Sequence, residues 1–365
     1  MANHVKEDFK PNRLLEVLAP SDAESLHPEP GELLQRSVIN LDIIRGLAFR
    51  NVIEVNQFSR QEVVELCKLA SILEAVDIGP YNPLEDLIVI TAFFEASTRT
   101  RTSFESAVLR LDGKIISIPD GQITGAKKGE SLEDIGEMFN AYGDLVIMRH
   151  TETDAPERLM QNLRIPLINA GNGTGEHPTQ AMADWYALLK WRPELAVNNP
   201  RKTEDLHLGV LGTPGSMRAV KSFVLMSLKF QEHLRKITFV SEMADPFGEV
   251  LKQEVEAAGI DYEITNDMNP TLPDMDIIYM NSIVHVGDDY KNMDRMFKLD
   301  KNSPLKEDAV ILHPLARLAE LDTSLDDTSH NLYWSQAHGA VFIRQALLTS
   351  VMGRYGRLPE NLPIK

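Results

Sequence analysis

The stretch Ser97-Thr98-Arg99-Thr100-Arg101-Thr102-Ser103 combines several hydroxyls with two arginines over seven residues. An apolar run, Leu87-Ile88-Val89-Ile90, leads into it and reads as a buried parallel strand. Behind it Phe104, Val108 and Leu111 recur at helical spacing, so an amphipathic helix follows. The polar stretch therefore sits at a strand-to-helix turn. Free backbone N–H groups at a helix start attract anions, and the helix dipole adds to the effect. Arginine offers a planar fork of donors that matches phosphate oxygens. The chemistry implied is a phosphate or carboxylate cradle. The rival reading is a capped surface helix whose arginines pair with acids.

Five further clusters carry groups suited to the same chemistry. Thr124-Gly125-Ala126-Lys127-Lys128-Gly129-Glu130 reads as a mobile basic loop, or otherwise as a solvated turn. Met148-Arg149-His150 follows the apolar run Asp144–Ile147 and sets Arg149 at a strand end, unless it is only a surface arginine. In Asn169-Ala170-Gly171-Asn172-Gly173-Thr174-Gly175-Glu176-His177-Pro178-Thr179-Gln180 a strand ends, a glycine-rich loop turns, and His177 precedes a proline suited to the first helical position. A positive helix end favours neutral imidazole, which can donate to a carbonyl oxygen without being a strong acid. Gln180, one turn on, offers both donor and acceptor. Gly209–Arg218 again reads strand, glycine-rich turn, helix, with Arg218 suited to a carboxylate, unless it is only a surface arginine of that helix. His313-Pro314-Leu315-Ala316-Arg317 follows the strand Ala309–Leu312, and its carbonyls could accept from a substrate amide; taken alone it reads as an ordinary loop. Neither glycine-rich turn has the GxGxxG spacing of a dinucleotide fingerprint, which disfavours an NAD-linked enzyme. No HExxH, paired CxxC or Walker lysine loop is present, so neither a metal hydrolase nor a P-loop kinase is supported, and no cofactor is expected.

The elements that must position these groups alternate. Strands are expected at Leu87–Ala92, Ile115–Ile118, Leu145–Met148 and Ile165–Ile168, separated by helices around Ser103–Leu111, Ser131–Tyr142 and Ala155–Leu163. After a break at Arg192–Pro200 come strands at His207–Leu211, Ile237–Val240, Tyr262–Ile264, Ile277–Met280 and Ala309–Leu312. The pattern is that of α/β doubly wound domains with parallel sheets. Ligands in such sheets bind at the carboxyl ends of strands, where most of the clusters fall. Ser59-Arg60-Gln61-Glu62 has the capping-box form ahead of a helix, and Val341–Val351 is apolar enough to dock deeply. Residues 1 to about 40 carry four prolines among polar groups and are expected to form a loosely attached arm, with order beginning near Asn51.

Composition narrows the function classes. A chain of 365 residues favours two domains. Its net charge of -17 repels nucleic acid and acidic membranes, so neither is expected as a partner. The single cysteine, Cys67, excludes an intrachain disulfide framework and fits a cytoplasmic protein. No stretch approaches the run of about twenty apolar residues that spans a bilayer.

These clusters, in this order, resemble the aspartate/ornithine carbamoyltransferase family, from about residue 45 to 353. Ser97-Thr98-Arg99-Thr100-Arg101 is similar to its carbamoyl-phosphate signature and His177-Pro178-Thr179-Gln180 to its second signature. The Lys127–Glu130 loop, Asn169-Ala170-Gly171 and His313-Pro314-Leu315 are similar to the aspartate branch. The resemblance implies two hinged domains, one for carbamoyl phosphate (45–185 plus 338–355, the last helix returning to it) and one for the amine acceptor (186–337), with 1–44 outside the match. It implies a homotrimer in which a neighbour's basic loop completes each site, and a regulatory or pathway partner chain as an option. It further implies that Ser97, Thr98, Arg99, Thr100 and Arg149 hold the phosphate. Thr100, Arg149 and His177 would polarise the carbamoyl oxygen, Gln180 and the carbonyls of Pro314 and Leu315 would hold the amide nitrogen, and Arg218 would bind the acceptor's α-carboxylate. Thr124, in place of the usual serine, and Lys128 would come from the adjacent chain.

Two features, at three positions, depart from the pattern. Ser282 and Val284 stand where it has an arginine and a glutamine for the acceptor, and Ala316 stands where the family has proline after a cis peptide bond. L-Aspartate is the expected acceptor. Another amine or amino acid is the alternative those positions raise, and a non-catalytic relative is a further one.

Overall fold

The computed structural model describes Pro28, Pro30, Leu33 and residues 39–75, 81–121, 125, 129–197, 206–281 and 297–358. A short helix α1 (Leu41–Arg45) is capped by the Asn40 side chain and buries Ile44. Order therefore begins before Asn51, earlier than expected, and Leu33 is fully buried in the main core. Apolar side chains at these positions give the segment a surface to dock on, which its prolines and acids obscure. Helix α2 (Arg60–Ala75) starts at the expected capping box: Ser59 N–H donates to Glu62 Oε2 at 2.7 Å, and Glu62 N–H donates to Ser59 Oγ at 3.2 Å.

The first sheet contains β1 (Ile88–Phe93), β2 (Lys114–Ile118), β3 (Leu145–His150) and β4 (Leu167–Asn172), all parallel, in the order β2-β1-β3-β4. The crossovers run through α3 (Thr98–Arg110), α4 (Leu132–Tyr142) and α5 (Ala155–Met160). Alternation along the strands splits the core in two. Val89 and Phe93 pack in the cluster of α2 and α3, whereas Ile90 and Ala92 face Ile135, Phe139 and Leu159 of α4 and α5.

Helix α6 (Pro178–Trp191) leads towards the second sheet, formed by β5 (Leu206–Leu211), β6 (Leu234–Val240), β7 (Asp261–Thr265), β8 (Ile277–Met280) and β9 (Val310–Leu312). All are parallel, in the order β7-β6-β5-β8-β9. Helices α7 (Arg218–Leu228) and α8 (Glu249–Ala258) cover one face, with Val210, Ile237 and Phe239 beneath them. Irregular segments carrying Met268, Leu272, Leu299 and Leu325 cover the other. The last helix, α9 (Tyr333–Val351), packs against α2, α3 and α6 and so returns to the first sheet. Among the described residues no helix is long and apolar enough to cross a membrane.

Three of the boundaries that differ from the sequence reading bear on the positions of polar residues. Helix α3 begins at Thr98 rather than Ser103, so its polar residues occupy the first helical turns. Strand β4 runs on to Asn172, so Asn169-Ala170-Gly171 are strand residues rather than loop. Helix α9 begins at Tyr333, because its first two turns are buried against the second sheet's core through Tyr333 while carrying the polar residues Ser335 and Gln336.

Candidate active site

The strand orders place one chain reversal in each sheet. In the first, β1 leads to β2 on one side and β3 leads to β4 on the other, so a crevice opens between the carboxyl ends of β1 and β3. In the second, the same reversal falls between β5 and β8. Both crevices open on one cavity of about 740 Å³, lined from the first sheet by Ser97–Thr100, Arg149, His177 and Gln180. From the second it is lined by Arg218, Asn281 and His313-Pro314-Leu315.

Ser97 is the residue before α3, in an extended conformation, and its side chain makes no capping bond. The first intrahelical bond runs from Arg101 N–H to Ser97 O at 3.3 Å, which leaves the N–H groups of the first turn unspent beside the cavity. The two arginines of the stretch part ways. Arg99 lines the cavity, and burial lowers its pKa. Arg101 pairs with Glu105 at 3.3 Å and approaches Ser117 of β2, so for Arg101 the capped-helix reading holds.

Arg149, near the end of β3, is largely buried, and its Nε has no partner. Its Nη2 meets Glu95 Oε1 at 2.7 Å, and Glu95 also takes Arg218 Nη2 at 2.6 Å and Nη1 at 2.8 Å. Burial alone would raise the Glu95 carboxyl, but the hydrogen bonds and charges of Arg218 and Arg149 outweigh it and hold it below the usual carboxylate range. Gly171 makes the two arginines' approach possible: it has φ +114, and a Cβ there would stand 3.1 Å from Arg218 Nε and 3.4 Å from Arg149 Nη1.

His177 precedes α6, with Pro178 at the first helical position, and its N–H donates to Ser222 Oγ at 2.8 Å. Its Nε2 lies 3.4 Å from Thr100 Oγ1 and its Nδ1 3.5 Å from Thr179 Oγ1. Burial, then the charges of Arg149, Arg218 and Arg344, push its pKa well below the ordinary value, so the ring is neutral. Gln180 Nε2 donates to the buried Asp184 Oδ1 at 2.7 Å. The Leu315–Ala316 peptide is cis.

The described residues to which the resemblance gave a substrate-binding or catalytic role all line this cavity: Ser97, Thr98, Arg99, Thr100, Arg149, His177, Gln180, Arg218, Pro314 and Leu315. Thr124 and Lys128, and the divergent positions Ser282 and Val284, lie outside the described residues. Sequence reasoning missed Glu95, Gln336 and Arg344, which line the cavity too. Glu95 was signalled only by its place two residues before Ser97. Gln336 and Arg344 were signalled by polar side chains in an otherwise apolar helix. Arg344 is buried, donates to Ser103 Oγ and lies 4.6 Å over the Phe104 ring; burial lowers its pKa to about 9, against the charge of Asp184.

Residues 50–190 match a family model described as the aspartate/ornithine carbamoyltransferase carbamoyl-P binding domain, and residues 204–351 match the Asp/Orn binding domain. The chain is 31% identical over 354 residues to the chloroplastic aspartate carbamoyltransferase of Oryza sativa subsp. japonica, spanning 91% of this chain and 95% of that protein. It is 33% identical to the aspartate carbamoyltransferase catalytic subunit of Aliivibrio fischeri, over 83% of this chain and 96% of the relative. Aspartate transcarbamoylase from Trypanosoma cruzi in complex with N-(phosphonacetyl)-L-aspartic acid is similar in structure, with a TM-score of 0.76 and 26% identity over 84% of this chain and 97% of that one.

Proposed function

The chain belongs to the aspartate/ornithine carbamoyltransferase family, and from that premise we infer that it transfers the carbamoyl group of carbamoyl phosphate to the amino group of L-aspartate, releasing phosphate. The observation that carries this reading is the meeting of Arg99, Arg149, His177 and Gln180 with Arg218 and the Pro314-Leu315 turn around one cavity between the two sheets.

Each residue type fits a step. Hydroxyls of Ser97, Thr98 and Thr100, the free N–H groups of the α3 start, and the Arg99 and Arg149 guanidinium groups suit the phosphate. As the amine attacks the carbonyl carbon, negative charge grows on the carbamoyl oxygen. Thr100, Arg149 and neutral His177 are donors suited to that oxygen, and a preorganised donor of this kind is worth about 2.7–4 kcal/mol in other enzymes. Gln180 and the carbonyls of Pro314 and Leu315 hold the amide nitrogen. Arg218 takes the α-carboxylate of the acceptor, and Arg99 with Lys128 stabilises the departing phosphate. Holding both substrates between two lobes supplies much of the remaining acceleration.

The assembly follows the same reading: a homotrimer in which Thr124 and Lys128 enter the neighbour's site. The domains divide as 45–185 plus 338–355 for carbamoyl phosphate and 186–337 for the acceptor, which the return of α9 to α2 and α3 favours. A cytoplasmic site of action suits the one buried cysteine, Cys67.

The test is phosphate release from carbamoyl phosphate with a panel of amines. Turnover with L-aspartate at ordinary enzyme rates is expected. No turnover with L-aspartate, combined with turnover on another amine of the panel, would reassign the acceptor. No turnover on any would leave a binding protein.

A further inference from the structure

Asp184 lies one turn behind Gln180 on α6 and is fully buried. Two side-chain amides converge on its Oδ1: Gln180 Nε2 at 2.7 Å and Gln336 Nε2 at 2.5 Å. Its Oδ2 takes no hydrogen bond of normal geometry. Burial pushes its pKa up to about 7, against the pull of those two amides, the neighbouring Tyr279 hydroxyl and the Arg344 charge.

The direction of every amide in this group follows from one donor whose identity is certain. His313 N–H donates to Gln336 Oε1 at 2.8 Å, so the oxygen of Gln336 faces His313 and its NH2 faces Asp184. As a carboxylate, Asp184 accepts at Oδ1 from both amides, and Gln180 then presents its NH2 to it. The remaining oxygen of Gln180 is left for the cavity. The neighbouring turn is stripped of donors in the same way. Pro314 has no N–H, and the Leu315 N–H is spent on His313 Nδ1 at 2.9 Å. That bond leaves His313 Nε2 to donate to Glu320 Oε1 at 3.0 Å.

We propose that Asp184 is the positioning residue that makes this wall of the cavity acceptor-only, by turning the Gln180 carbonyl oxygen inwards and, through Gln336, holding the Pro314-Leu315 turn in the matching orientation. Such a wall favours a group that brings N–H donors and disfavours one that brings none. The inference rests on the carbamoyl-phosphate reading and deepens it: the wall selects an activated NH2–C(=O) group over an activated CH3–C(=O) group. Without Asp184 the Gln180 amide is free to turn, and its NH2 would then oppose the NH2 of the substrate.

The experiment measures dissociation constants of carbamoyl phosphate, acetyl phosphate and inorganic phosphate for the full-length protein by titration calorimetry. In Asp184→Ala the preference for carbamoyl over acetyl phosphate is expected to fall about tenfold, the scale of one buried hydrogen bond left unmade. Inorganic phosphate should bind as before, and Asp184→Asn, which keeps an acceptor oxygen, should restore the preference. An unchanged preference in folded Asp184→Ala overturns the proposal, as does a parallel loss for all three ligands. If Asp184→Ala does not fold, Gln336→Leu, which removes the bonds to both His313 and Asp184 and so uncouples the Pro314-Leu315 turn from Asp184, carries the same expected and opposing outcomes. A wild-type protein with no preference for carbamoyl phosphate overturns the functional reading itself.

Discussion

Arg218 and Glu95 hold each other by two bonds across the cleft, Nη1 to Oε2 at 2.8 Å and Nη2 to Oε1 at 2.6 Å. Glu95 follows β1 of the first sheet, and Arg218 opens α7 of the second. One carboxylate therefore ties the two lobes together and sets Arg149 and Arg218 side by side. Glu95→Ala leaves two largely buried cations facing each other without a counter-charge. Its kcat/KM for the second substrate is expected to fall at least tenfold, from the loss of charge-assisted bonds worth about 1.5–3 kcal/mol each. Steady-state kinetics decide it, and an unchanged kcat/KM means that the bridge has no part in closing the cleft.

The same bridge sets an acid limit. The Glu95 pKa is depressed in the folded protein, so the unfolded chain binds more protons between the two pKa values. The stability that Glu95 adds is present above its unfolded pKa and is lost as pH falls through the folded value. Denaturant unfolding of wild type and Glu95→Gln should therefore differ most at neutral pH and converge as the solution is made strongly acidic. A constant gap across that range would contradict the assignment.

His177 should carry no charge during turnover. Its folded pKa is pushed well below the usual histidine value, so the pH profile of kcat should show no inflection from it near 6.5. Below about 6.5 the unfolded chain gains a proton that the folded site refuses, so stability should decline on acidification from there. His177→Ala is expected to lower kcat by about 10²–10³. A loss seen only in KM would show that the ring binds the ground state and not the developing charge.

Gly136 of α4 faces α5 so closely that a Cβ would stand 2.6 Å from Leu159 O, a backbone atom that cannot step aside. Gly136→Ala should destabilise the protein by about 1–3 kcal/mol through overpacking, while the cavity residues keep their phosphate affinity. Urea unfolding and phosphate titration test the two halves separately.

Cys67 is buried within α2, and burial pushes its thiol far above the ordinary value. A thiol reagent should label it only at the rate of unfolding, and rapidly in denaturant. Fast labelling of the native protein would show that α2 opens locally.

The order of strands and helices, the parallel sheets and the clusters at strand ends were legible from residue types and short spacings. The cause is local: buried strands, helix faces, caps and glycine turns each write a pattern within about ten residues. What faces the cavity was a matter for the tertiary structure. Arg99 and Arg101 share one signature, yet they point roughly 200° apart on α3, and only the phase of that helix against β2 decides which reaches the substrate. Glu95 gained its meaning from Arg218, 123 residues on, and Asp184 from Gln336, 152 residues on. No local pattern records such pairings, because they exist only once two sheets and a returning helix have closed around the same space.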